Sequence, residues 1–219
     1  MTTAAMTEWT TAIDAPKHRF LFGGADWTFY EQVLRQLDGR RVQVTYDRGR
    51  LEILYPSWEH EEYGRFLGKL VPIIARALGL PYRGGGSTTF RRHDREAGLE
   101  PDQCFYIRNA PLVERKRQIN LKVDPPPDLA IEIEVSRRLL ARQDVYARLG
   151  VPELWRYDGQ TLRVFRLGKS RKYRQVKRSV SFPGMSLEEV HLLLQKIWDV
   201  SESRWEDAAT EWAARLARR

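Results

Sequence analysis

The chain has one cysteine, Cys104, and three methionines in 219 residues. A single thiol excludes an intrachain disulfide framework and any cysteine-rich zinc site. No apolar segment approaches the roughly 20 residues that span a bilayer, and the N-terminus MTTAAMTEWTTAIDAPKH lacks a basic start followed by an apolar run. The expectation is a cytoplasmic protein with no membrane partner. Internal repeats and low-complexity linkers are absent. Gly84 to Gly86 lack the Gly-Lys-Ser/Thr ending of a phosphate-binding P-loop. His18, His93 and His191 show no metal-ligand spacing.

What is present argues for a folded chain. Apolar residues make up 42% and aromatics 11%, with seven tryptophans, a composition unlike that of disordered segments. The length suits one domain, expected over 25–200, with an N-terminal arm over 1–24 and a C-terminal amphipathic helix over 201–219. Thirty-seven basic against 29 acidic residues give a net charge of +8, which favours polyanions through long-range attraction.

Periodicity sets the elements. WTFYEQVLRQLDG reads as a helix between an Asp26 N-cap and Gly39, and RRVQVTYDRGRLEILYP as a hairpin turning at Gly49. From Trp58 to Gly79 a stripe of Tyr63, Phe66, Leu67, Leu70, Ile74 and Leu78 predicts a long helix, which Pro72 should kink. Strands are expected in STTFRR, from near Asp102 in GLEPDQCFYIRN, and in DLAIEIEVS, followed by a helix from Arg137 to Gly150. PELWRYD, TLRVFRL and KYRQVKRSVSF predict further strands, and SLEEVHLLLQKIW a further helix. In the last helix Trp205, Ala209, Trp212 and Leu216 form one stripe. The fold class is α/β in the mixed α+β sense, a central mixed sheet flanked by helices.

The acidic strand raises the chemical question. Leu129, Ile131, Ile133 and Val135 alternate with Asp128, Ala130, Glu132 and Glu134. The Cα atoms of Glu132 and Glu134 should be about 7 Å apart, where two charges repel by roughly 2 kcal/mol at an effective dielectric near 20. Salt bridges to Arg137, Arg138 or Arg142 would relieve this, and so would a hard cation, Mg²⁺ or Mn²⁺. Asp102 starts another strand just after a proline, and side-by-side pairing would bring it within reach of Glu132. Carboxylates around Mg²⁺ are recurrent machinery for phosphodiester hydrolysis. Asp128, also after a proline, is expected to cap backbone amides.

GGGSTTFRR, GLEPDQCFYIRN, DPPPDLAIEIEVS and YARLGVPELWRYDG, in this order, resemble the Uma-two (Uma2) family of restriction-endonuclease-like proteins, a branch of the PD-(D/E)XK nuclease superfamily. The resemblance runs from the first helix to the strand after Trp155. It implies a nuclease-like core of a long helix, a three-stranded sheet and a second helix, with the acids on adjacent strands. Carried over by position, Asp102 matches the acid after the proline and Glu132 the first acid of the E-x-K element. Glu61 or Glu62 would supply a further acid, and His60 matches a histidine at the helix start. One departure stands out: the lysine position is Glu134, and the matching cation is Arg142 on the following helix. An arginine can stabilise a phosphorane but does not shuttle a proton.

The expected function is therefore a metal-dependent DNA endonuclease. Asp102, Glu132, Glu134 and Glu62 are the candidate metal ligands, Glu134 doubles as a candidate base, and Arg142 stabilises the transition state. The alternative is a catalytically silent nucleic-acid-binding or interaction module on the same scaffold. Two-stranded cutting would favour a homodimer, but the Trp205 and Trp212 stripe would equally dock on its own core.

Overall fold

Asp26 caps the first helix, its carboxylate accepting the Phe29 backbone N–H at 2.7 Å. The computed structural model describes residues 11–13, 19–135 and 139–218. In chain order it contains strands β1 (Thr11–Ile13) and β2 (Arg19–Gly23), helix α1 (Trp27–Gln36), strands β3 (Gln43–Asp47) and β4 (Arg50–Leu54), and helix α2 (Trp58–Ala77). Four short strands follow, β5 (Arg83–Gly84), β6 (Phe90–Arg92), β7 (Ala97–Leu99) and β8 (Gln103–Tyr106). After them come helix α3 (Ala110–Val113), strand β9 (Leu129–Ile133) and helix α4 (Arg142–Leu149). Strands β10 (Glu153–Tyr157), β11 (Leu162–Leu167) and β12 (Tyr173–Val176) lead to helices α5 (Leu187–Gln195) and α6 (Glu202–Leu216).

The chain divides into two compact units. Unit 1 comprises Met1–Pro56, Thr89–Glu100 and Arg138–Leu149, and unit 2 comprises Ser57–Thr88, Pro101–Arg137 and Gly150–Arg219. The strands that the sequence reading gathers into one sheet form two, each of six strands. The β3–β4 hairpin is the reason. Both its outer edges are already paired, β4 with β2 and β3 with β7, so it builds a separate antiparallel sheet in the order β1-β2-β4-β3-β7-β6.

In unit 1 that hairpin turns through Arg48 and Gly49 with φ of 45° and 80°, the left-handed pair a two-residue turn requires. Tyr30 from α1 packs on Tyr46 from β3, rings stacked with centroids 5.1 Å apart, in a core that includes Ala25, Val44 and Leu51. Asp47 at the end of β3 accepts from Arg48, Arg50 and Arg148.

Unit 2 holds a mixed sheet in the order β12-β11-β10-β9-β8-β5, flanked by helices. Its pairs are antiparallel except β9 with β10, which run parallel. One face carries Ile131, Ile133, Trp155 and Tyr157 and packs in one core with Phe66, Leu67 and Leu70 of α2. Helix α2 continues through Pro72. The C-terminal stripe docks on this same core: Trp205 and Trp212 are buried, and the Trp205 ring meets Phe66 edge-on at 4.7 Å. Their indole N–H groups donate to the Leu193 carbonyl and to Glu189 Oε2, each at 2.8 Å. Arg65 and Lys69 on α2 add ion pairs to Glu202 and Glu206 on α6.

Candidate active site

The acids of interest meet in unit 2, at one end of its sheet. Strand β8 runs antiparallel to β9 with Gln103 opposite Ile131, Cys104 opposite Ala130 and Phe105 opposite Leu129. Asp102 lies just before this ladder, and Glu132 one residue beyond its last pair. On the other side of β9, parallel pairing puts Glu132 opposite Arg156 of β10. Register partners are neighbours on one face, so Glu132 and Arg156 share the face opposite Ile131 and Ile133, and with Asp102 at the near end of the adjacent strand they make up the acidic row of this unit. Glu132 is 1% exposed and Asp102 8%.

Pro101 and the bend at Asp102 end the β8 ladder, and the Asp102 carboxylate turns back on the neighbouring strand. Its Oδ2 accepts the Ile133 N–H at 2.5 Å, and its Oδ1 lies 3.3 Å from His60 Nε2. His60 sits in the first turn of α2, where its backbone N–H donates to the Ser57 N-cap hydroxyl at 3.2 Å. The Ile133 N–H bond holds the Asp102 carboxylate against the neighbouring strand.

Glu134 lies just past β9. Its backbone N–H donates to the Tyr157 carbonyl at 2.7 Å, and its carboxylate takes both forks of Arg156, with Nε to Oε1 at 2.8 Å. The Arg156 guanidinium also lies 5.3 Å from the Phe165 ring centroid. Of the salt-bridge partners the sequence suggests for the acidic face, Arg137 and Arg138 lie outside the described residues. Arg142 belongs to unit 1, where it donates to Thr45 Oγ1 at 2.6 Å and to the Glu100 carbonyl. Glu62 is gripped by Arg65 through Nε at 3.2 Å and Nη2 at 2.7 Å.

Two further polar groups in this region are structural. Asp128 accepts from the backbone of Ile107 and Asn109 at 2.8 and 2.9 Å and from Asn109 Nδ2 at 2.7 Å, the amide-capping role its place after a proline implies. Cys104 is fully buried in β8, and burial pushes its thiol up to about 12, which removes it as a nucleophile near neutral pH.

Arg156 is the residue the sequence reading missed. WRY does show alternation, placing Arg156 on the face opposite Trp155 and Tyr157. Nothing local announces that β10 pairs parallel to β9, because parallel strands are joined through long crossovers.

Among the described residues, no group of three or more His, Cys, Asp or Glu has the arrangement of a metal site. The pair Asp102 and Glu132 offers hard carboxylate oxygens. That donor set suits a Mg²⁺ ion, which keeps several waters and is commonly held by one or two carboxylates rather than by an all-protein cage.

No curated protein matches the chain. A crystal structure described as "a putative nuclease belonging to DUF820", from Anabaena variabilis, is similar over 69% of this chain and 90% of that one, with 15% sequence identity and a TM-score of 0.47. The model of the Uma2 family, described as "Putative restriction endonuclease", matches residues 27–198, which include Asp102, Glu132, Glu134 and Arg156. The chain belongs to the Uma2 family, within the PD-(D/E)XK-like nuclease superfamily.

Proposed function

We propose that this protein is a Mg²⁺-dependent DNA endonuclease whose active site is the acidic row of unit 2. One observation supports the reading: two buried carboxylates, Asp102 just before β8 and Glu132 in β9, belong to neighbouring strands at the same end of the sheet. Asp102 and Glu132 hold the ion, which when bound would acidify water and offset the charge that develops on a phosphodiester. His60 keeps Asp102 oriented through its Oδ1. Glu134 fixes Arg156, whose guanidinium faces the phosphate oxygens as a permanent cation with donors in a planar fork.

The pairing of Glu134 with Arg156 also accounts for the departure from the superfamily pattern. The positive charge absent from the lysine position on β9 arrives from the neighbouring strand β10. Arg156 supplies this cation in addition to Arg142, the cation the resemblance implies, which donates to Thr45 Oγ1 and the Glu100 carbonyl.

Plasmid cleavage with Mg²⁺ or Mn²⁺, together with Mn²⁺ binding by calorimetry, tests the reading. Glu132→Ala is expected to lose both while keeping a cooperative unfolding transition. A variant that cuts as fast as the parent overturns the assignment. A second reading, a catalytically silent nucleic-acid-binding module, is favoured by the lack of a third metal-ligating group among the described residues. It predicts DNA binding with no metal-dependent cleavage by the parent itself.

A further inference from the structure

The charge of this chain is not spread evenly. Residues 159–187 contain eight basic residues, Arg163, Arg166, Lys169, Arg171, Lys172, Arg174, Lys177 and Arg178, and no acid. Thirty-seven basic residues in the whole chain less these eight leave 29, which equals the number of acids. The whole net charge of +8 is therefore carried by one segment of 29 residues, and the remainder balances.

That segment is the β11–β12 hairpin with its flanks. All its cations but Arg163 are exposed. Arg163 pairs with Asp158 at 2.7 Å, whereas among the described residues Arg166, Lys169, Lys172, Arg174, Lys177 and Arg178 enter no ion pair. Arg166 and Arg174 are register partners, a like-charge pair that costs stability in a sheet. The acid opposite Arg166 on β10, Glu153, does not neutralise it. Its carboxylate is fully buried and accepts from Trp155 Nε1, from the Val180 and Ser181 backbone and from Ser181 Oγ. Uncompensated charge at this density calls for an external polyanion.

Of the strand cations in this segment only Arg163 shares the face of Glu132; Arg166 and Arg174 lie on the face of Glu153. Sheet order runs β12, β11, β10, β9, and the register continues the row from Glu132 through Arg156 to Arg163. From Arg163, two strands or about 10 Å from Glu132, the turn at Gly168 lies about 16 Å further along β11, a distance of about five base pairs at a rise of about 3.4 Å. The segment offers no stacking platform. Val180 is its one exposed large hydrophobic, Tyr173 donates its hydroxyl to the Val151 carbonyl, and Phe165 lies beneath Arg156. Unstacked bases and membranes both need such apolar contacts, and a duplex backbone does not.

We propose that the β11–β12 hairpin docks the phosphate backbone of the duplex DNA that the acidic row cleaves; the inference deepens the nuclease reading and rests on it. The competing role for cations on an edge strand is protection against strand-to-strand aggregation.

The test is binding of a labelled 20-base-pair duplex at several salt concentrations in EDTA, so that no cleavage intervenes. A variant carrying Arg166→Gln, Lys169→Gln, Lys172→Gln and Arg174→Gln should lower the slope of log affinity against log salt by about 3 to 4, at about 0.9 per lost phosphate contact. Near 0.1 M salt the affinity should fall on the order of 10³-fold. The charge-keeping pair Arg166→Lys and Arg174→Lys should retain the parental slope. Parental affinity and slope in the quadruple variant overturn the proposal. So does aggregation of that variant with binding intact, or a parent that binds phosphatidylserine vesicles but not DNA. Failure of the acidic-row reading shows elsewhere, as cleavage that survives Glu132→Ala, and leaves this binding measurement unaffected.

Discussion

Cys104 and Asp102 are two residues apart in sequence, and the fold treats them in opposite ways. Asp102 accepts the Ile133 N–H and lies 3.3 Å from His60 Nε2, while Cys104 is sealed beside Gly85, whose N–H donates to the Cys104 carbonyl at 2.9 Å. With its thiol pushed up to about 12, Cys104 should resist a thiol-reactive disulfide reagent at pH 8 in the native protein and react with one equivalent only after denaturation. Rapid stoichiometric labelling of the native chain would contradict this burial. Asp102 was legible at a strand start from the proline before it, and Glu132 within a strand from its period-two pattern. Arg156 was not, since its relevance depends on a non-local register, and neither was the capture of Glu134 by Arg156, which follows from the same pairing.

Among elements, the β3–β4 hairpin was legible because Asp-Arg-Gly between alternating strands specifies its turn. Strand β7 was not, because Ala97-Gly98-Leu99 has no β-branched or aromatic residue and only three positions. Its glycine is required by packing. A methyl group at Gly98 would lie 2.6 Å from Cζ and 2.8 Å from Cε1 of Tyr30, a fully buried ring stacked on Tyr46. Gly98→Ala should therefore destabilise the protein by about 1–3 kcal/mol through overpacking, read as a lowered urea midpoint with an unchanged m value. A midpoint equal to the parent's would mean that α1 yields without cost. Strand β5, two residues long, carries no period at all, and its pairing with β8 shows only in three dimensions.

For the molecule as a whole, two carboxyls of unit 1 set opposite pH dependences. Burial pushes Asp47 upward, but the bonds from Arg48, Arg50 and Arg148 outweigh it and hold the carboxyl below its ordinary range. Such a group stabilises the fold above its unfolded value, about 3.9, and the contribution is lost as pH falls through the lower folded value. Glu100 has the opposite sign. Burial raises it despite bonds from Thr89 and the Val44 N–H, so its contribution is present below about 4.3 and is lost as pH rises through the raised value. Asp47→Asn should cost about 1–3 kcal/mol near pH 7, toward the lower end because Arg48 and Arg50 are half exposed, and the gap should close near pH 2. Melting temperatures from pH 7 to pH 2 measure it, and a gap independent of pH would remove Asp47 from the account.

Each unit is assembled from three separated stretches of chain, and the path passes between them five times. The parallel partners β9 and β10 are joined only by way of residues 138–149, which belong to unit 1. A single breakpoint cannot exchange either unit for a homologous one, because any one cut leaves at least one of them in fragments.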